Sequence, residues 1–298
     1  KDMGISYDSV TKESQLREQV PQVLEILKKS LKEKEGALWF APNDEFLKDR
    51  ETVVKKSDGE YTYFASDIAY HNQKMSQNDI VVDILGSNHS GHVPKLQAIV
   101  KSLGFDTNNF KVVLYQYVRL KRGQEVVNMS KRAGNFVTAR EVLDEVGKDA
   151  FRYFLLSSRA QTHMDFDLDL AKKKASDNPV FYIQYAHSRI CSIFKKAKDA
   201  GFKDADLSLL TSESELSLIR HLIKFPYLIE QAATTLEVNG LTTYALELSS
   251  QFHKFYEANQ VISDDKSKTQ ARLALIKAAQ VTLKNTLDVL GISAPKQM

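Results

Sequence analysis

The chain has 298 residues, 43% of them apolar and 27% charged. That balance suits a globular protein with room for two domains and a sizeable core, and it excludes a disordered or collagen-like chain. Lys and Arg number 41 against 38 Asp and Glu, a net charge of +3, so no global basic charge announces nucleic acid, although a basic stripe fits inside a balanced total.

The lone cysteine, Cys191, excludes an internal disulfide framework and a cysteine zinc finger, and fits a reducing cytosol. No apolar run reaches the roughly 20 residues needed to cross a bilayer, and no cleavable signal opens the chain. A cytoplasmic protein with no membrane partner is expected.

Up to about residue 137, strand-like and helix-like segments alternate. Residues 53–55, the turn Ser57-Asp58-Gly59 and residues 60–62 read as a hairpin with an Asp-Gly turn. Residues 79–85 are a short apolar run with the length of a buried strand. A glycine-containing loop follows, then a helix over 93–103 with Pro94 in its first turn and Gly104 ending it. Residues 111–120, rich in Val, Leu and Tyr, predict a second strand. Strand, loop, helix, strand argues for an α/β unit with a parallel sheet.

Beyond that unit the strands are expected to stop. Thr138 and Glu141 form a capping box, Gly147 closes the short helix they open, and another helix covers 149–157. From Pro179 onward, Ile183, Ala186, Ile190 and Phe194 recur at helical spacing. A second capping box at Ser212 and Glu215, helices over 241–258 and 268–290, and Gly291 as a stop complete a helical bundle. The Ser176-Asp177-Asn178-Pro179 stretch marks the entry to it, where proline disfavours continuing the preceding helix. No internal repeat or low-complexity tract is present.

Two loops carry candidate chemistry. The first, Gly86-Ser87-Asn88-His89-Ser90-Gly91-His92, lies at the carboxyl end of a predicted parallel strand, where open α/β sheets bind ligands. Its glycines fit neither the dinucleotide fingerprint nor a P-loop, since His92-Val93 stands where Lys-Ser/Thr is required. No third ligand at metal spacing accompanies His89 and His92, and a plain solvated turn remains an open reading. The second loop, Asn128-Met129-Ser130-Lys131-Arg132-Ala133-Gly134-Asn135, precedes the capped helix at Thr138. Adjacent cations at a helix entrance suit a polyphosphate, although charge alone also describes a solvated surface.

The words themselves are more specific than their charge. Asn128 to Arg132 resembles the KMSKS signature of class I aminoacyl-tRNA synthetases, and the run from Met129 to Thr138 is similar to the arginyl-tRNA synthetase version. The segment from Asp58 to His71, which contains Thr62-Tyr63-Phe64-Ala65-Ser66-Asp67, resembles that family's arginine-site segment. Residues 165–170, 178–189 and 290–295 resemble the entry to its anticodon-binding domain and its C-terminus. The resemblance runs through essentially the whole chain. Two departures stand out: Asn128 replaces the first lysine of the signature, and Asn88 stands where many relatives carry an aspartate. The family's HIGH motif is expected upstream of the matched segments, and the one His-x-Gly-His run here, His89-Ser90-Gly91-His92, lies in the later loop.

The resemblance implies the C-terminal part of a class I α/β catalytic domain over 1–137, a helical connector over 138–176, and an all-α anticodon-binding domain over 177–298. It implies arginine activation with ATP and Mg2+, no tightly bound protein metal, and transfer to tRNA(Arg) by a monomer, with this chain alone expected inactive. A non-catalytic tRNA-binding protein is the alternative. A relative charging cysteine would want zinc-ligating cysteines that Cys191 alone cannot supply.

Lys131 is expected at the pyrophosphate, with Ser130 and Met129 beside it, and Gly86, Asn88, His89 and His92 on the ATP side. Asp67 would take the guanidinium and Tyr63, four residues earlier on one helix face, would pack against the substrate. Tyr182, Gln184, Tyr185 and Arg189 are the expected tRNA contacts, since splayed bases are held by aromatic stacking and edge hydrogen bonds. Read as residues alone, Asp67 is also a dipole-favoured acid near a helix start, and the tyrosines also suit a core face.

Overall fold

The computed structural model describes residues 2–48, 50–127, 137–197, 201–202 and 204–298. They form two compact units, one of Ser6–Gln116, the other of Lys1–Ile5 with Tyr117–Met298.

The first unit begins with α1 (Glu13–Ile26) and an antiparallel sheet of β1 (Leu31–Lys34), β2 (Ala37–Phe40) and β3 (Thr52–Lys55). The predicted Asp-Gly turn forms after β3: Gly59 takes φ 90°, and the Glu60 amide donates to Asp58 Oδ1 at 2.9 Å. Its return arm is shorter than expected, a single bridge between Tyr61 and Lys55. The reason is the next residue. Thr62 donates through its hydroxyl to the Val53 carbonyl at 2.8 Å and through its amide to Val54 at 2.9 Å, and α2 (Tyr63–Gln77) starts immediately after it. That helix buries Phe64, Ala65, Ile68, Ala69 and Met75 in a core shared with Leu27, Phe40, Val54 and Ile99.

Next, β4 (Val81–Gly86) pairs in parallel with β5 (Phe110–Tyr115), Val81 facing Phe110 and Gly86 facing Tyr115. A 3-10 turn at Ser87–His92 and α3 (Val93–Ser102) join them. The strand expected to be buried is one-sided. Val81 lies in the core, whereas Val82 is 37% and Ile84 68% exposed. Among the described residues the core lies against one face of this sheet only, so alternate side chains are left outside it.

The run over 111–120 is two strands rather than one. β5 ends at Tyr115, and β6 (Val118–Arg122) belongs to the second unit, where it pairs antiparallel with β7 (Glu125–Val126) and parallel with β8 (Met164–Asp167). β8 overturns the expectation that strands stop after residue 137. Its Met164 and Phe166 turn into the core, while Asp165 reaches Arg119 Nε at 2.7 Å and Lys121 Nζ at 2.5 Å. Cross-strand charge pairing thus supports a strand too short and too acidic to stand out by composition.

The predicted capping box opens α4 (Ala139–Val146), with the Glu141 amide 3.1 Å from Thr138 Oγ1. Gly147, at φ 80°, separates it from α5 (Lys148–Leu156). Asp167 caps α6 (Leu168–Lys172) by accepting from the Asp169 and Leu170 amides. Glu145 on α4 takes a two-pronged bond from Arg122, at 2.6 and 2.8 Å, and another from Lys172 at 2.8 Å.

The helical region that follows holds α7 (Pro179–Ala197), α8 (Glu213–Leu222), α9 (Phe225–Thr235), α10 (Asn239–Ala258) and α11 (Lys266–Leu290). Phe166, Ile183, Ile190, Leu218, Phe252 and Phe255 are fully buried in its core. One ion pair is buried too: Arg272 Nε meets Glu215 Oε1 at 2.7 Å, and the same guanidinium bonds Asn259 Oδ1 and the Gln260 carbonyl at 2.8 Å each. Ser212 completes the cap that holds Glu215 in place. Gly291 ends α11 at φ 68° as expected, and a Cβ there would lie 2.6 Å from the Arg152 guanidinium. Arg152 in turn donates to the Leu290 carbonyl at 2.8 Å and the Met3 carbonyl at 3.0 Å.

Candidate functional site

The start of α2 and the turn after β4 assemble the candidate small-molecule site of the first unit. Tyr63 and Asp67 sit one turn apart on α2, as their spacing predicts, but their surroundings differ. Tyr63 is 79% exposed, while Asp67 is half-buried. Burial pushes the Asp67 carboxyl above the ordinary carboxylate range, and positive charge on His71, His92 and Lys74 works against that push. Lys95, in the first turn of α3, lies with its ammonium 6.0 Å from the centre of the Phe64 ring on α2, which sets the end of the Ser87–His92 turn beside the start of this helix.

Within the turn, the rings of His89 and His92 meet edge to face at 5.5 Å, and both side chains are exposed. Asn88 folds back over Gly86, so that a Cβ at Gly86 would come within 2.6 Å of Asn88 Oδ1. Ser87 donates to Gln116 Oε1 at 2.9 Å. The turn is therefore a shaped element rather than an open loop. Among the described residues no cluster of three or more His, Cys, Asp or Glu is arranged to hold a metal ion.

Helical spacing sets His71 one turn after Asp67, but sequence reasoning missed the partners it meets there. His71 is buried, with Nδ1 donating to the Asp67 carbonyl at 2.7 Å and Nε2 at 2.9 Å from Asp83 Oδ2 on β4. Lys74 bonds the other Asp83 oxygen, and its ammonium lies 4.5 Å from the centre of the Tyr70 ring. Burial opposes charge on Asp83, yet these two hydrogen bonds outweigh it and hold the carboxyl below its ordinary value. The only sequence signal was an acid, Asp83, inside an otherwise apolar strand.

The signature residues Met129, Ser130 and Lys131 lie outside the described residues.

In the second unit, Tyr182 and Tyr185 of α7 converge on His253 of α10. Ring centroids stand 4.8 Å apart for Tyr182 and 5.7 Å for Tyr185, the latter stacked, and Phe181 stacks on Tyr185 at 6.4 Å. With Ser176 and Glu257 they line a cavity of about 300 Å³. Burial lowers the His253 pKa, against the nearby Glu257 carboxylate, and its Nε2 is buried with no hydrogen-bond partner. Such an open, ring-lined hollow accepts a flat aromatic group by stacking.

Gln184 and Arg189 point elsewhere. The Gln184 amide donates to Asp149 Oδ2 at 2.8 Å and the Ser293 carbonyl at 3.0 Å, which ties α7 to α5 and the C-terminal tail. Arg189 donates to the Tyr256 hydroxyl at 3.1 Å and lies over that ring. His253 and Glu257, one turn apart on α10, were not singled out from the sequence. Their partners are some 70 residues earlier, and nothing local marks them.

Comparison with known proteins agrees with both halves. Residues 3–194 match the family model "tRNA synthetases class I (R), catalytic domain", and residues 183–298 match "DALR anticodon binding domain". An arginine–tRNA ligase of Staphylococcus aureus is 43% identical over 98% of this chain and 54% of its own length. One of Thioalkalivibrio sulfidiphilus is 44% identical over 100% of this chain and 52% of its own. A Campylobacter jejuni structure described as an arginyl-tRNA synthetase superposes with a TM-score of 0.87 at 33% identity, covering 100% of this chain and 66% of that one. A Thermus thermophilus arginyl-tRNA synthetase shares the fold at TM-score 0.83 and 22% identity, over 100% and 61%.

The architecture is that of a class I synthetase: an α/β region with parallel strands followed by a helical anticodon-binding-type domain. The chain belongs to the arginine–tRNA ligase family of class I tRNA synthetases. It spans about half the length of the curated relatives it matches. No helix among the described residues is long and apolar enough to cross a membrane.

Proposed function

We propose that the protein joins arginine to tRNA(Arg), using ATP with Mg2+ to form arginyl-adenylate first, and that these residues supply the guanidinium site and the anticodon-reading surface. The observation that carries this reading is the half-buried Asp67 carboxylate on α2, with Tyr63 one turn ahead and the His92 turn beside it. A partly desolvated carboxylate pairs strongly with a planar guanidinium fork and leaves lysine at a disadvantage. On the same reading Gly86, Asn88, His89 and His92 face the adenosine, and Lys131, with Ser130 and Met129, stabilises charge on the departing pyrophosphate.

Residues 1–137 then form the C-terminal part of the catalytic domain, 138–176 a connector, and 177–298 the anticodon-binding domain of a monomer. Tyr182 and Tyr185 stack anticodon bases in the hollow beside His253, while Gln184 and Arg189 brace α7 from outside it through Asp149, Ser293 and Tyr256.

Capture of total tRNA on this chain at moderate salt, followed by sequencing, tests the assignment. Enrichment of arginine isoacceptors is the expected result. Unselective retention that vanishes with added salt would mean phosphate attraction alone. In the complete protein, Lys131→Ala is expected to slow arginine-dependent ATP–pyrophosphate exchange by about 10²–10³-fold while tRNA capture stays intact. Equal loss of both would give Lys131 a structural role instead.

A further inference from the structure

The cluster behind Asp67 is largely buried and built from three charged or titratable side chains. His71 lies on α2 one turn after Asp67 and donates to the Asp67 carbonyl. Its other nitrogen meets Asp83, which also accepts from Lys74. Asp83 stands on β4 three residues before Gly86, where the turn bearing His89 and His92 begins. Phe110 closes the far side, edge-on to the His71 ring at 5.3 Å. A single chain of hydrogen bonds therefore runs from the Asp67 backbone, through His71, to the strand that presents the turn.

We infer that His71, Asp83 and Lys74 are positioning residues for Asp67: they lock its helical turn to β4 and fix the balance of charge its carboxylate faces. The inference rests on the arginine-site reading of Asp67 and deepens it. Two effects follow from the geometry. Locking removes freedom that substrate binding would otherwise have to freeze out, which is how a site gains affinity without a new ligand contact. Charge balance decides whether a half-buried carboxylate is ionised when the guanidinium arrives. The groups facing Asp67 are His71 and Lys74 on its own helix, His92 on the turn, and Asp83 on β4. Lys74, and either imidazole when it carries a proton, favours its ionised form, and Asp83 opposes it.

This makes a prediction of opposite signs from two residues bonded to each other. Removing an anion should lower the pH at which Asp67 titrates, and removing a cation should raise it. The test is carbon-detected NMR titration of the Asp67 carboxyl in this chain, for the wild type, Asp83→Asn and Lys74→Gln, with L-arginine binding followed on the same samples. The expected result is a midpoint lowered by about half a pH unit in Asp83→Asn and raised by a similar amount in Lys74→Gln, with L-arginine bound about five- to tenfold more weakly by both.

Midpoints that stay put, or that move together along with a drop in melting temperature, would overturn the proposal and reduce the cluster to an internal brace. Should Asp83→Asn fail to fold, the upward shift in Lys74→Gln alone decides it. Midpoints that shift in opposite directions while wild-type chain shows no L-arginine-dependent change at Tyr63 or Asp67 would uphold the charge setting and overturn the arginine-site reading.

Discussion

The two candidate sites recognise by different physics. Around the start of α2 the working groups are charged and partly sunk, and their behaviour depends on which neighbours share their burial: Asp67 is pushed up by desolvation and drawn back by positive charge on its neighbours. Between α7 and α10 the working groups are rings, open to solvent on one side and fixed by a fully buried floor that includes Ile183, Phe252 and Phe255. Charge sites transmit substitutions across several ångströms, because fields reach through low-dielectric surroundings. Stacking sites do not. A ring can be removed with little consequence beyond its own contacts, provided the floor stands.

The sharpest way to break that contrast is to attack the floor through charge. Arg272 is the one cation buried against Glu215 among the described residues, so Arg272→Ala leaves a carboxylate without its partner and should cost about 3–5 kcal/mol, read as a lower melting temperature of the whole helical region. If the loss is small, charge in the bundle is as dispensable as a surface pair.

At the α2 site, Asp67→Asn should weaken L-arginine binding by about 2–5 kcal/mol with little change in melting temperature, measured by calorimetric titration. A smaller effect on the stacking side is expected from Tyr185→Ala. It should reduce tRNA capture by about 1–3 kcal/mol and leave unfolding unchanged. Should it unfold the bundle instead, the rings are core and the contrast fails.

The smallest effect belongs to an exposed charge. Glu145 is held down to about 2 by hydrogen bonds from Arg122 first and Lys172 second. Its folded value lies below the ordinary 4.5, so the stabilisation is full above about pH 4.5 and disappears as pH falls toward 2. Thermal melts of Glu145→Gln against wild type should therefore differ by roughly 1 kcal/mol or less near neutrality and coincide near pH 2.

Local rules were legible in the sequence and non-local ones were not. Capping boxes at Thr138 and Ser212, the Asp-Gly turn at Gly59 and the stop at Gly291 appear where the residues placed them, because each is decided within four or five positions. The run over 111–120 looked continuous, since nothing in its own composition records that Tyr115 and Val118 pair with different sheets. β8 escaped notice for the same reason: its identity as a strand depends on Arg119 and Lys121, more than 40 residues earlier. The α2 site was half legible. Tyr63 and Asp67 lie on one helix, whereas Asp83 joins them only through the fold.

Gly291 has a consequence for how such a chain can drift. Its φ of 68° penalises any side chain, and the space a Cβ would need is filled by the Arg152 guanidinium at 2.6 Å. No single substitution relieves both constraints. Shrinking Arg152 first would open the space but strip hydrogen bonds from the carbonyls of Leu290 and Met3 while the backbone penalty remained. Two positions, one in α5 and one at the end of α11, are thus bound into a shared history, in which either can change only along a path that passes through a less stable protein.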